Sequence, residues 1–324
     1  MKNDYWKRAA VMVLAGVVLS GSASALFGKK TTVPPEGAPT VRDIELSTYR
    51  GIPYSTQFLA SDSEGEDMTF AVADRPRKGT VVIDGVNFTY TPDEGVTGAD
   101  SFTYTATDSS GKTSAPATVT ITIQKTRSGV TYADTDARSA YAAQEMAERG
   151  LFVGSKIGEQ YYFEPERAVS RSEFLAMTME MTGRDVTSVT MTGFSDDEAI
   201  PTWAKAYAAA GVADGIVQGT ATENGVAFRG GDDITFNEAA ALLNRVLATG
   251  DVDLDAWYGD RDSVPTWAAQ AVGNLEAVSV LRTGSFGSGT MAQPMTRADA
   301  AEMLTSAATL LEGEEPHTIF GWFK

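Results

Sequence analysis

Three short signatures in the second half of the chain place a hydroxyl three residues ahead of a carboxylate: Ser170 and Glu173, Thr235 and Glu238, Thr296 and Asp299. At a helix start such a pair caps reciprocally. The hydroxyl accepts from an orphan N–H of the first turn, and the carboxylate accepts from the N–H of the cap residue. These six residues are therefore read as caps, each pair contributing about 1 kcal/mol to its helix. The second position of the signature asks for another explanation, because it is arginine at Arg171 and Arg297. The helix dipole slightly disfavours a cation in the first turn. A guanidinium beside helix-terminal N–H groups instead makes a place for a carboxylate or phosphate. A solvated surface arginine is the competing reading, and residue types alone do not separate the two. Other chemistry is scarce. His317 is the only histidine and cysteine is absent, so a histidine-dependent nucleophilic triad, a multi-histidine metal site and thiolate ligation are excluded.

The elements that carry these residues repeat. Pro201-Thr202-Trp203-Ala204 returns 64 residues later as Pro265-Thr266-Trp267-Ala268, and Asp196 and Asp260 each lie seven residues before their tryptophan. The capping signatures start 65 and 61 residues apart. A shared period near 60 with matching landmarks defines three copies, over 132–190, 194–250 and 256–312. Each copy reads as helix, glycine-rich loop, helix. In the first, the spacing predicts a helix over 137–149 closed by Gly150, a loop over 154–169 and a helix over 173–181. Gly215 and Gly219 punctuate the second loop; Leu242, Leu243, Val246 and Leu247 form the apolar stripe that follows. Met303, Leu304, Ala308 and Leu311 form the third stripe. Two short helices cannot bury their own apolar faces, so the copies are expected to pack on one another. Trp203 and Trp267 are expected to fill core space with most of each ring, one edge lining a groove where a sugar could stack.

The first half has a different period. Ile44 and Leu46, Met68 to Val72, Phe88 and Tyr90, Phe102 to Ala106 and Val119 to Ile123 alternate with polar residues, mostly threonine. This predicts half-buried antiparallel strands in a two-sheet sandwich over 39–125. Ahead of it, 26–38 reads as a linker. Residues 1–25 combine Lys2, Lys7 and Arg8, a short apolar run and Ala23-Ser24-Ala25, the pattern of a secretory signal peptide cleaved after Ala25. No transmembrane segment is expected after that cleavage. Hydrophobic residues make up 43% of the 324, a globular value, and the net charge of −17 disfavours nucleic acid and anionic membranes as partners. Asp62, Glu64, Asp67, Asp100 and Asp108 could offer calcium its oxygens. Their spacing is not that of an EF-hand loop, and acidic turns are ordinary at exposed sheet ends, so no metal or cofactor is expected. Residues 313–324, with an aromatic end from Ile319 to Phe323, read as a tail.

Two resemblances sharpen this outline. Asn87-Phe88-Thr89-Tyr90-Thr91-Pro92, Asp100-Ser101-Phe102-Thr103-Tyr104 and the closing 117–123 stretch resemble bacterial cadherin-like or Ig-like repeats of surface proteins. That resemblance implies a spacer or adhesion module. Phe194-x-Asp196, Trp203-Ala204, Gly215-Ile216 to Gly219, Phe228 and Thr296-Arg297-Ala298-Asp299 resemble the S-layer homology domain in three copies. This implies a multidomain fold: an all-β sandwich followed by an all-α pseudo-threefold bundle. It also implies grooves that bind anionic, often pyruvylated, secondary cell-wall polysaccharide, with the motif arginine on the acid. On this resemblance the ligand-binding candidates are Arg171, Arg297, Trp203, Trp267, Asp196, Asp260, Gly215 and Gly219.

The chain also departs from the family pattern. Phe236 stands where the second copy should have its arginine, and Ser279 where the third should have a loop glycine. The first copy lacks the tryptophan: counting from Asp134 gives Tyr141 at its place, counting from Gly150 gives Arg138. At most two working grooves are therefore expected, around Arg171 and Arg297. The expectation is a secreted, non-enzymatic protein held on the bacterial cell wall by its helical repeats. With linker, sandwich and repeats accounting for the chain, no segment is left for a catalytic domain built on paired carboxylates. The alternative is a structural subunit of a surface layer or envelope complex whose repeats bind other surface proteins.

Overall fold

The computed structural model describes residues 34–184, 186–258 and 264–312. They fall into two compact units, one ending at Arg127 and the other beginning at Ser128. The signal-peptide segment, most of the linker, Asp260, His317 and the aromatic tail lie outside the described residues.

The first unit is a β-sandwich. A four-stranded sheet has the order β2 (Ile44–Tyr49), β9 (Ala117–Gln124), β8 (Gly98–Asp108), β5 (Met68–Asp74), and a three-stranded sheet has β3 (Tyr54–Gln57), β7 (Asn87–Pro92), β6 (Gly79–Asp84). A small ribbon pairs β1 (Thr40–Val41) with β4 (Ala60–Ser61). Alternation drives the fold: Phe88, Tyr90, Phe102, Tyr104, Val119 and Ile121 are all buried, and the residues between them face outward. Phe58 stacks on Phe88 and Tyr104 with ring centres 4.6 Å apart in each case. The sheet is not wholly antiparallel as expected, because β2 runs parallel to β9 with Ile44 opposite Val119. These strands open and close the domain. No hairpin joins them, so nothing forces an antiparallel pairing.

Two buried polar side chains of the sandwich, Tyr104 and Asp100, are tied off by hydrogen bonds. The Tyr104 hydroxyl lies 2.6 Å from the Arg42 carbonyl and 2.9 Å from that of Leu59, and burial pushes its phenol up to about 12. Asp100 accepts from the N–H groups of Arg77 and Lys78 and from the Tyr90 hydroxyl at 2.8–3.0 Å. Burial pulls its carboxyl upward, but these hydrogen bonds outweigh it and hold the group below its usual value. Asp100 is thus spent on the backbone. Among the described residues no group of three or more His, Cys, Asp or Glu side chains could hold a metal ion.

The second unit is helical, with seven α-helices among the described residues: α1 (Ala140–Glu148), α2 (Arg171–Met181), α3 (Thr202–Ala213), α4 (Phe236–Leu247), α5 (Leu254–Trp257), α6 (Thr266–Ala277) and α7 (Arg297–Leu311). The pairs α1/α2, α3/α4 and α6/α7 are the three sequence copies, with the short α5 preceding the third pair. The loops of the first two pairs each contain a small hairpin, β10 (Ser155–Ile157) with β11 (Gln160–Tyr162) and β12 (Thr220–Thr222) with β13 (Gly225–Ala227). The third loop instead has a 3₁₀ turn over Gly289–Ala292. Helices pack between copies: α2 on α3, α4 on α6, α7 on α1. One continuous core runs through all three, including Phe163, Phe174, Phe228, Leu243, Leu275 and Leu304.

At the centre the copies close a ring. Val169, Ile234 and Met295, each just ahead of its cap residue, are buried to 1% exposure or less. Val169 N–H donates to Met295 at 3.0 Å, Met295 N–H to Ile234 at 2.8 Å, and Ile234 N–H to Val169 at 2.9 Å. Three donors meet three acceptors head to tail, and none of these groups is left over at a site where an unpaired one would cost about 1–3 kcal/mol. The ring fixes the start of α2, α4 and α7 around one pseudo-threefold axis.

Candidate functional site

Each motif helix opens with the reciprocal cap. Ser170 accepts from the Glu173 N–H, Thr235 from Glu238 and Thr296 from Asp299, while each acid accepts from the cap residue's own N–H at 2.9–3.0 Å. Capping uses one carboxylate oxygen and leaves the other free, and in all three copies an arginine takes it. Arg167 lies 3.0 Å from Glu173, Arg171 2.9 Å from Glu238 and Arg138 2.9 Å from Asp299. The last two pairs cross from one copy to another, so these acids serve both cap and seam.

The two motif arginines sit in seams between copies but in different states. Arg171 begins α2 against the loop of the second copy: its N–H donates to Asp232, and that of Ser172 to Gly230. Its guanidinium is 19% exposed and pairs with Glu238. Arg297 begins α7 against the loop of the first copy and is only 4% exposed. It donates to the Phe163 carbonyl at 2.6 Å, lies 3.1 Å from Glu164 and has its guanidinium carbon 4.7 Å from the Phe152 ring centre. Burial, and then the charge of Arg167, push its pKa below the usual arginine value. Phe236 starts α4 in the third seam, where its N–H donates to Gln293 and its ring packs against the core.

The other candidates hold the copies in shape. Both Asp196 oxygens accept consecutive loop N–H groups, from Phe228 and Arg229, at 2.8 Å. Asp134 does the same for Phe163 and Glu164 at 2.8 and 2.7 Å. These bonds restrain Arg229 and Glu164, whose φ values of 60° and 55° lie in the left-handed region that side chains disfavour. The repeat-1 Asp was visible in the sequence as Asp134; what could not be read there was the loop it fastens. Gly219, at φ 70°, has no room for a Cβ, which would fall 2.5 Å from a Val226 methyl carbon and 2.9 Å from the Ala227 carbonyl oxygen. Gly215 terminates α3 at φ 72°, as Gly150 does α1 at 71° and Ser279 does α6 at 59°.

Those three termini settle the register of the first copy. Counting twelve residues back from Gly150, Gly215 and Ser279 gives Arg138, Trp203 and Trp267, so Arg138 replaces the tryptophan and Tyr141 does not. The tryptophans do not fill the core as expected: Trp203 is 51% exposed and Trp267 60%. Alanines such as Ala204, Ala208 and Ala268 occupy the inward faces of α3 and α6, and a residue one position earlier on the helix turns away from them. Tyr207, one turn beyond Trp203 on the same face, donates to Glu180 on α2 at 2.5 Å. Trp203, one turn earlier on the same face of α3, stands on the side of that helix turned towards α2.

Among solved structures the chain is similar to an endo-fucoidan hydrolase of glycoside hydrolase family 107, at 20% identity and TM-score 0.25, covering 28% of this chain and 14% of that one. It spans that small fraction of the hydrolase's length. Fibronectin(III)-like modules of Clostridium thermocellum CbhA share 18% identity at TM-score 0.18, covering 27% of this chain and all of theirs. The SrpA adhesin of Streptococcus sanguinis shares 18% at TM-score 0.22, covering 35% of this chain and 76% of its own. A comparison with curated proteins finds no match. The family comparison matches the sandwich: residues 36–122 fit the model of the bacterial Ig domain.

Proposed function

We propose that this is a secreted, non-enzymatic surface protein in which three S-layer homology modules hold anionic cell-wall polysaccharide while the Ig domain serves as spacer or adhesion module. The observation that carries the reading is the closed ring of Val169, Ile234 and Met295. It sets the first residue of every motif helix at a seam between modules, where a polymer strand could lie across two of them. A guanidinium in such a seam pairs with a carboxylate more strongly than one in open water. A bacterial Ig domain suits an extracellular setting. The test is co-sedimentation of the purified protein with cell-wall sacculi before and after the accessory acidic polymer is stripped by mild acid. Binding that disappears with the polymer and weakens with salt is the expected result; equal binding to stripped and intact walls removes the reading.

A second reading, an envelope scaffold whose modules bind protein, is favoured by the way Arg297 and Phe236 fill their seams with the protein's own groups. Ordered assembly without glycan, seen by electron microscopy, would support it.

A further inference from the structure

The two main sheets of the sandwich end in four edge strands, and three of them are protected. β3 is only four residues long, β2 turns Glu45 outward, and β5 breaks its pairing at a bulge between Val72 and Asp74. Short length, outward charge and bulges keep an edge from pairing with another chain. β6 lacks these devices. It is six residues long, pairs with β7 without a register shift, and carries neither proline nor charge ahead of its last residue, Asp84.

Both faces of β6 are also unfinished. Val82 is 64% exposed on the outward face, and Val86 in the turn that follows is exposed too. On the core face, Val81 and Ile83 lie opposite the fully buried Tyr90 and Phe88, yet they are only half-buried themselves. The backbone tells the same story. Asp84 and Asn87 flank the two-residue turn Gly85-Val86, and such a flanking pair exchanges both its hydrogen bonds. Alternation then aims the N–H and C=O groups of Gly79, Val81 and Ile83 away from β7. Among the described residues no strand pairs with that edge.

We infer that the β6 edge is the surface through which two copies of this chain join, strand against antiparallel strand, with Val82 facing the partner's Val82 across a two-fold axis. In that register Val81 and Ile83 form hydrogen-bonded pairs with the partner's Ile83 and the partner's Val81, and the core face of each sheet continues into the other. On the outward face Asp84 lies opposite the partner's Thr80 and diagonal to the partner's Lys78, while Val86 lies beside the stem of the partner's Lys78. Opposite charges are therefore neighbours, twice over, and no like charges meet. Lys78 spends one donor on the Thr97 carbonyl at 3.0 Å and keeps two more for the acid. Two three-stranded sheets become one continuous sheet. The inference does not depend on the wall-polysaccharide reading, which a monomer would leave standing.

The test is sedimentation velocity of the whole protein from micromolar to near-millimolar concentration, where a dimer is expected. Val82→Lys sets two ammonium groups against each other at an exposed position. It should weaken the dimer about tenfold or more while the near-ultraviolet tyrosine signal stays unchanged. The chain has no cysteine, so single cysteines report the register. A non-hydrogen-bonded antiparallel pair holds its Cα atoms about 4.5 Å apart, within disulfide range, so Val82→Cys should form a covalent dimer on mild oxidation. Thr80→Cys, exposed on the same face, would stand about 14 Å from its counterpart and should stay uncrosslinked. A monomer at every concentration, an undiminished dimer in Val82→Lys, or equal cross-linking through Thr80→Cys would overturn the assignment.

Discussion

At the scale of single residues, the acids of the helical unit are fastening devices. Asp196 alone satisfies two loop N–H groups, so Asp196→Ala should destabilise the helical unit by about 2–6 kcal/mol, measured by urea unfolding, since each orphaned donor costs about 1–3 kcal/mol. Glu276 is different. Burial raises its carboxyl above the ordinary 4.5, against the pull of the Gly284, Phe286 and Ser285 N–H groups. A raised folded value means that its contribution is fully present below the unfolded value and is lost as pH rises through the folded one. Glu276→Gln should flatten the pH dependence of stability above about pH 4.5, read from denaturation midpoints between pH 4 and 8. The caps were legible in the sequence because hydroxyl and acid are three residues apart and act locally. The burial of Arg297 was not, because Phe152 and Glu164, which cover it, lie more than a hundred residues away in the chain. Trp203 misled for a related reason: aromatic character suggests core, but its phase on α3, next to Ala204, turns it outward.

Elements tell the same story one level up. Each first helix of a pair stops at a left-handed residue, and the third uses Ser279 at φ 59° where the others use glycine. Ser279→Gly should stabilise the bundle by about 1 kcal/mol, the cost of holding a side chain in that region, seen as a higher melting temperature without change in the helical spectrum. Strands with strict alternation, such as β8 and β9, could be read directly. β3, with Tyr54-Ser55-Thr56-Gln57, and β6, half-exposed at the edge of its sheet, carry too little apolar contrast to be recognised. The hairpins β10–β11 and β12–β13 are three residues a strand and mostly exposed, and only the glycines between their strands and α-helices hinted at them.

For the whole molecule, period and repetition exposed two units of different class, while the inter-module seams needed coordinates because each joins residues from separate copies. The central ring ties those copies together, and its loss should be felt by all of them. Val169→Pro deletes one of its three donors and should cost the helical unit about 3 kcal/mol or more, with helical circular dichroism lost at lower denaturant while the sandwich tyrosines keep their near-ultraviolet signal. A circle of three partners has a further meaning for ancestry. Excising one module would strand a donor on one neighbour and an acceptor on the other, and inserting a fourth would spread the angle beyond what a short hydrogen bond spans. Descendants of this protein should gain or shed such units only as complete triplets, and a lineage carrying two or four would have had to invent a new hub.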